Sequence, residues 1–154
     1  MRSKQLANRD RKRVLVVEDD AWIRWFMCDV LADDGYEVIE AADGRTAIRL
    51  VDESPPHVML LDIAMPGVTG VEVLRHLRSR RRTRTLPVVV VSAYPRVLTP
   101  VDEESVACVL NKPLQIEKLL AAVRQVLTPD TRSVPAADPQ GADVDSPLLI
   151  AVPS

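Results

Sequence analysis

The residue pattern predicts an α/β domain, with a parallel sheet covered by helices on both faces. Three observations carry this reading. Short, continuous apolar runs recur along the chain, as strands buried on both faces require. Segments with apolar residues at helical spacing alternate with those runs. Acidic residues, glycines and prolines stand at the junctions, where caps and turns need them.

The first strand is predicted at residues 14–17, Val-Leu-Val-Val. Asp20 can cap a helix beginning near Ala21 and reaching about Asp34, where Gly35 is a natural stop. Residues 36–40 read as the second strand. Residues 43–51 carry Ala47, Ile48 and Val51 at helical spacing, and Pro55-Pro56 ends that helix. Residues 57–61 form the third apolar run. Gly67 and Gly70 frame a loop before a helix over residues 71–79. Residues 86–91 are almost purely β-branched and predict the fourth strand; residues 106–110 predict a weaker fifth. Residues 115–127 form the last helix, with Ile116, Leu119, Leu120, Val123, Val126 and Leu127 on its apolar side. Right-handed crossovers then restrict the topology.

With 154 residues the chain is long enough for one domain with a core and short for two. Hydrophobic residues are 47% and charged residues 27%, the balance of a soluble globular protein. A net charge of −2 argues against a general nucleic-acid or membrane binder. No apolar run approaches the roughly 20 residues of a membrane span. Residues 1–12 read as a basic arm; no apolar stretch follows them, so they do not read as a secretory signal and the expected compartment is the cytoplasm. Residues 128–154 scatter Pro129, Pro135, Pro139, Pro147 and Pro153 among acidic and small residues, and are expected to be disordered. Cys28 and Cys108 lie in apolar patterns and are expected to be buried thiols.

In a parallel α/β sheet, functional groups collect at the carboxyl ends of the strands. Here the first strand runs into Glu18-Asp19-Asp20, the third into Asp62, the fourth into Ser92 and the fifth into Lys112. Clustered carboxylates resist joint ionisation, and a divalent cation removes the repulsion; hard oxygen ligands suit Mg²⁺. The Asp62 carboxylate is then placed to attack phosphorus and form an aspartyl-phosphate. Mg²⁺ and the Lys112 ammonium supply the charge, and the Ser92 hydroxyl can donate to a phosphoryl oxygen. Each signal alone has a plainer meaning. Acids after a strand cap the next helix, a loop aspartate bonds nearby amides, a strand-end serine is ordinary and a lone lysine is a solvated charge. The joint arrangement carries the reading.

These residues stand in a recognisable order: Val-Leu-Val-Val-Glu18-Asp19-Asp20, Leu-Leu-Asp62-Ile-Ala-Met-Pro66-Gly67-Val-Thr-Gly70, Val-Val-Val-Val-Ser92-Ala and Asn-Lys112-Pro113. Over about residues 13–127 the chain closely resembles the receiver domains of two-component response regulators. The resemblance implies a flavodoxin-like five-stranded sheet of order 2-1-3-4-5. It implies Asp62 as phosphoacceptor, Asp19 as a direct Mg²⁺ ligand, Glu18 as an outer-shell acid and the Ala64 backbone carbonyl as a further metal contact. It implies Ser92 as the switch hydroxyl, Lys112 as the lysine of the motif and a cis Lys112–Pro113 bond. The partners implied are a sensor histidine kinase or phosphotransfer protein upstream and an unidentified output protein downstream, with no membrane or nucleic acid; a homodimer stays open.

Two departures from the family pattern concern the output side. The position three before the lysine, commonly Tyr or Phe, is Val109. The stretch from Ser92 to Lys112 is about two residues shorter than usual and contains Pro95 and Pro100, which predicts a short or irregular fourth helix.

Trp22 and Trp25 lie beside Ile23 and Phe26 on the first helix; one narrow stripe cannot bury all four, so at least one indole should be partly exposed. Arg78, Arg80, Arg81, Arg82 and Arg84 read as a solvated, basic helix terminus rather than a nucleic-acid site. The favoured function is a stand-alone receiver signalling through protein contact. The alternative is a phosphorelay intermediate or phosphate sink without its own output. A metabolic enzyme is not expected, because no substrate-pocket motif accompanies the acids.

Overall fold

The computed structural model describes residues 10–128. Most of the expected basic arm and nearly all of the expected tail lie outside them. Five strands, β1 (Arg13–Val17), β2 (Glu37–Ala41), β3 (Val58–Asp62), β4 (Val88–Ser92) and β5 (Cys108–Asn111), form one sheet of order β2-β1-β3-β4-β5. Every neighbouring pair is parallel. The helices are α1 (Ala21–Asp33), α2 (Gly44–Glu53), α3 (Gly70–Ser79), α4 (Pro100–Glu104) and α5 (Ile116–Leu127), with a 3₁₀ turn at Pro95–Val97. The predicted architecture and strand order are those observed.

The continuous apolar runs are explained by burial on both faces. On one face Leu15, Val17, Met59, Leu61, Val88 and Val90 pack with Ala47 and Val51 of α2 and Val73, Leu74 and Leu77 of α3. On the other, Val14, Val16, Val58, Leu60 and Val89 pack with Met27 and Leu31 of α1 and Leu119 and Val123 of α5. Each such valine, leucine or methionine contributes about 1.5–3 kcal/mol by leaving water.

Several ends differ by one or two residues from expectation, for hydrogen-bonding reasons. Asp43 caps α2 from outside, its carboxylate accepting from the Thr46 amide, so the helix begins at Gly44. Gly35, at φ +99°, lets the Gly35 and Tyr36 amides turn back to the carbonyls of Ala32 and Leu31, so β2 starts at Glu37. The His57 ring accepts from the Arg13 amide at 2.9 Å and β3 starts at Val58, which makes Asp62 the last residue of the strand. The Leu86 amide closes a turn onto Thr83 and that of Val106 onto Glu103, which delays β4 and β5 to Val88 and Cys108.

The fourth helix is short, as predicted. Thr99 caps it and Asp102 returns the bond in a capping box. Asp102 also takes a bidentate ion pair from Arg75 of α3, at 3.1 and 3.3 Å. Arg78 corrects the reading of the arginine run. It is only partly exposed; its guanidinium donates to the carbonyls of Ser105 (2.7 and 3.1 Å), Leu86 (2.8 Å) and Arg84 (2.9 Å). It thus ties the end of α3 to the approach of β4 and the exit of α4. Arg80, Arg81, Arg82 and Arg84 are exposed as expected. Both cysteines are free but only half-buried, a correction to the expected burial.

Candidate functional site

The carboxyl ends of β1, β3, β4 and β5 bring the predicted residues to one rim. β1 delivers Glu18, which is 1% exposed and whose amide donates to the Ala41 carbonyl at 3.1 Å. Asp20 turns the chain into α1, its carboxylate accepting from the amides of Trp22 and Ile23 at 2.9 and 3.0 Å. Asp19 lies between them and is exposed. Asp62 ends β3 and is 4% exposed, with Oδ1 accepting from the Ala64 amide at 3.2 Å. A Cβ on Gly70 would lie 2.2 Å from the Asp62 carbonyl oxygen, so α3 can start against this strand end only without a side chain there.

Lys112 follows β5, its amide bonded to the Ser92 carbonyl at 3.0 Å and its bond to Pro113 cis, as the resemblance implied. Its Nζ lies 2.7 Å from Glu18 Oε2 and 3.5 Å from Asp62 Oδ2. Glu18, Asp19 and Asp62 each offer a carboxylate oxygen, and the three atoms lie within 4.8 Å of one another. One ammonium cannot neutralise three such carboxylates. Burial pushes the Glu18 carboxyl up; the hydrogen bond from Lys112 offsets this in part, and the Asp62 charge adds to it. Burial alone would lower Lys112, but the hydrogen bond to Glu18 and the charges of Asp62 and Glu18 outweigh it and hold the ammonium above its ordinary pKa.

A small divalent cation fits this donor set: hard oxygens, converging, with excess negative charge. Ser92 is fully buried, and its Oγ accepts from the Tyr94 amide at 3.0 Å, leaving its own proton free to donate. Ala64 stands two residues past Asp62 and meets it through its amide. Tyr94 is 66% exposed. Val109 is half-buried against the core formed with α2 and α3.

Beside the acids, Trp22 and Trp25 are 70% and 53% exposed and stack at 5.1 Å, so both indoles face solvent, where at least one was expected to. Trp22, with Phe26, Pro113 and Leu114, borders a shallow apolar groove that reaches Lys112. Sequence reasoning missed Arg24, whose guanidinium donates to the Glu18 carbonyl at 2.8 Å. Its signal was present: a long cation four residues past the cap, on a helix whose side chains lean toward the N-terminus. Among the described residues, no helix is long and apolar enough to cross a membrane.

The family model described as the response regulator receiver domain matches residues 14–124. The chain is 34% identical over 118 residues to the phosphate regulon transcriptional regulatory protein PhoB of Escherichia coli K12, covering 75% of this chain and 52% of that protein. The chain therefore spans about half the length of the curated relatives it matches. Among solved structures it resembles the response regulator TrrA of Thermotoga maritima in complex with Mg²⁺-BeF, at TM-score 0.69 and 27% identity over 75% of this chain and 99% of that one. It also resembles the chemotaxis protein CheY4 of Vibrio cholerae, at TM-score 0.68 and 30% identity, covering 76% and 99%.

Proposed function

The chain belongs to the response-regulator receiver family, and from that premise we propose that it accepts a phosphoryl group on Asp62 and signals by conformational change to a protein partner. The observation that carries the proposal is the Asp62 carboxylate at the end of β3, with Lys112 Nζ at 3.5 Å and the oxygens of Glu18 and Asp19 within 4.8 Å. The donor is a phosphohistidine on a sensor kinase or phosphotransfer protein. An oxygen of Asp62 bonds to phosphorus while the phosphorus–nitrogen bond to the donor imidazole breaks. The imidazole leaves with the bonding pair and regains a proton from water.

Asp19, Asp62 and the Ala64 carbonyl, with Glu18 as an outer-shell acid, would hold a Mg²⁺ ion, which would supply charge neutralisation between the carboxylates and the incoming phosphoryl oxygens. Lys112 keeps its ammonium against Asp62 and offsets charge on the same oxygens. Ser92 turns its free proton toward a phosphoryl oxygen, and that movement starts the conformational change. The chain is an acceptor rather than an enzyme with a turnover substrate, and acts in the cytoplasm without a membrane or nucleic-acid partner. A second reading, a phosphorelay intermediate or phosphate sink, draws on Val109, which leaves no aromatic ring to follow Ser92 inward.

Phosphotransfer and partner capture test the proposal together. A phosphohistidine donor should transfer its group to the chain only with Mg²⁺. A column carrying the phosphorylated chain should retain a protein that the Asp62→Asn column does not. Transfer without any phosphorylation-dependent partner would favour the relay reading, and no transfer would exclude both.

A further inference from the structure

A residue that is not one of the rim acids bonds the backbone of two of them. Arg24 stands on the first turn of α1, its amide bonded to the Asp20 carbonyl at 2.9 Å. Its guanidinium folds back over the helix start. Nη1 lies 2.8 Å from the Glu18 carbonyl oxygen and 3.5 Å from that of Asp19, and Nε lies 3.6 Å from Glu40 Oε1 on β2. The side chain is only 17% exposed. The backbone of the two acidic residues is therefore held from behind by one guanidinium nitrogen, while Nε of the same group faces Glu40 on the neighbouring strand and oxygens of the acids' carboxylates converge with those of Asp62.

A guanidinium here has two opposing consequences for a divalent cation. Its charge repels one, though Glu40 offsets part of that charge. Its bonds fix the two carbonyls and so restrict where the carboxylates can point. Charge-assisted bonds from a planar fork hold geometry better than those from a lysine ammonium, and groups behind the ligands of a metal typically carry about 10–100-fold in affinity.

We infer that Arg24 is a positioning residue for the divalent-cation site, holding the Glu18–Asp19 backbone so that both carboxylates converge with Asp62. This rests on reading the acid cluster as the Mg²⁺ site. Fixed geometry outweighs repulsion, because the guanidinium bonds the backbone directly while its charge is shared with Glu40.

The test is Mg²⁺ binding to the full chain, by titration calorimetry at an ionic strength that screens remote charges. Arg24→Met should raise the Mg²⁺ dissociation constant about tenfold, and Arg24→Lys, which keeps the charge but cannot reach the carbonyls and Glu40 with separate nitrogens, several-fold. Unchanged binding in Arg24→Lys with tighter binding in Arg24→Met would mean that the charge alone matters and would overturn the inference. Lower melting temperatures with wild-type affinity in both would make Arg24 a purely structural residue and overturn it as well. If Arg24→Met does not fold, Arg24→Lys decides by the same criterion. A wild-type chain that binds no Mg²⁺ would instead overturn the reading of the acid cluster, separately from Arg24.

Discussion

The Lys112 ammonium lies 2.7 Å from Oε2 of Glu18, a residue 94 positions away in sequence, and this bond joins the first strand end to the last. It does not fully compensate Glu18. The carboxyl is buried beside Asp62 and its pKa is raised, so ionising it in the folded state costs free energy.

The sign of that cost gives a stability prediction. A carboxyl whose folded pKa lies above its unfolded value destabilises the fold progressively as pH rises from the unfolded value to the folded one. Without divalent cations, Glu18→Gln should therefore be more stable than the wild type at pH 7. Each tenfold loss of acidity that folding imposes on Glu18 is worth about 1.4 kcal/mol of this gain. The gain should vanish near pH 4, where both side chains are neutral, and shrink at saturating Mg²⁺. Urea denaturation across pH measures it; a gain that persisted at pH 4 would assign the effect to packing.

Arg78 is expected to behave as a core residue despite its charge. Arg78→Ala leaves the carbonyls of Ser105, Arg84 and Leu86 without this donor and should cost about 2–3 kcal/mol. Arg78→Lys should recover only part, because an ammonium cannot span the same acceptors. Chemical denaturation of both variants checks this, with Arg81→Ala, at an exposed position, as the neutral control.

Arg78 and Arg24 mark the boundary of what the sequence makes legible. The strands were legible because double burial leaves a continuous apolar run, as at residues 14–17 and 88–91. Asp20 and Gly35 were legible because capping and a left-handed turn demand particular residue types. Asp62, Ser92 and Lys112 were legible because parallel strands deliver their ends to one rim. Arg78 looked like one more solvated cation, since its acceptors come from segments that only the fold brings together. Arg24 is harder to read for a related reason: its place four residues past the cap is visible, but its partners are mainly backbone carbonyls, which a side-chain pattern does not identify.

The thiols should be unreactive in the folded chain. Burial first, then the charge of Glu40 and a hydrogen bond to it, push Cys28 up to about 12; burial also raises Cys108. At pH 8 iodoacetamide should modify both far more slowly than in the urea-unfolded chain, as mass spectrometry would show. Rapid modification of the native chain would contradict this.

Val109 occupies the position of the missing aromatic ring, half-buried against the core. Val109→Ala should cost about 1 kcal/mol in lost burial and leave the phosphorylation-induced change in amide exchange largely intact. Ser92→Ala should remove that change. Equal loss in both variants would make Val109 itself part of the switch.

Chemical trapping reads directly whether Asp62 is the phosphoacceptor. The chain is incubated with acetyl phosphate and Mg²⁺, reduced with borohydride, which converts an aspartyl-phosphate to homoserine, and sequenced by peptide mass spectrometry. The expected result is homoserine at position 62, dependent on Mg²⁺ and absent from Asp62→Asn. Homoserine at Asp19, Asp20 or another aspartate, a reduced glutamyl product, or neither while the wild type carries phosphoryl label, would overturn that assignment.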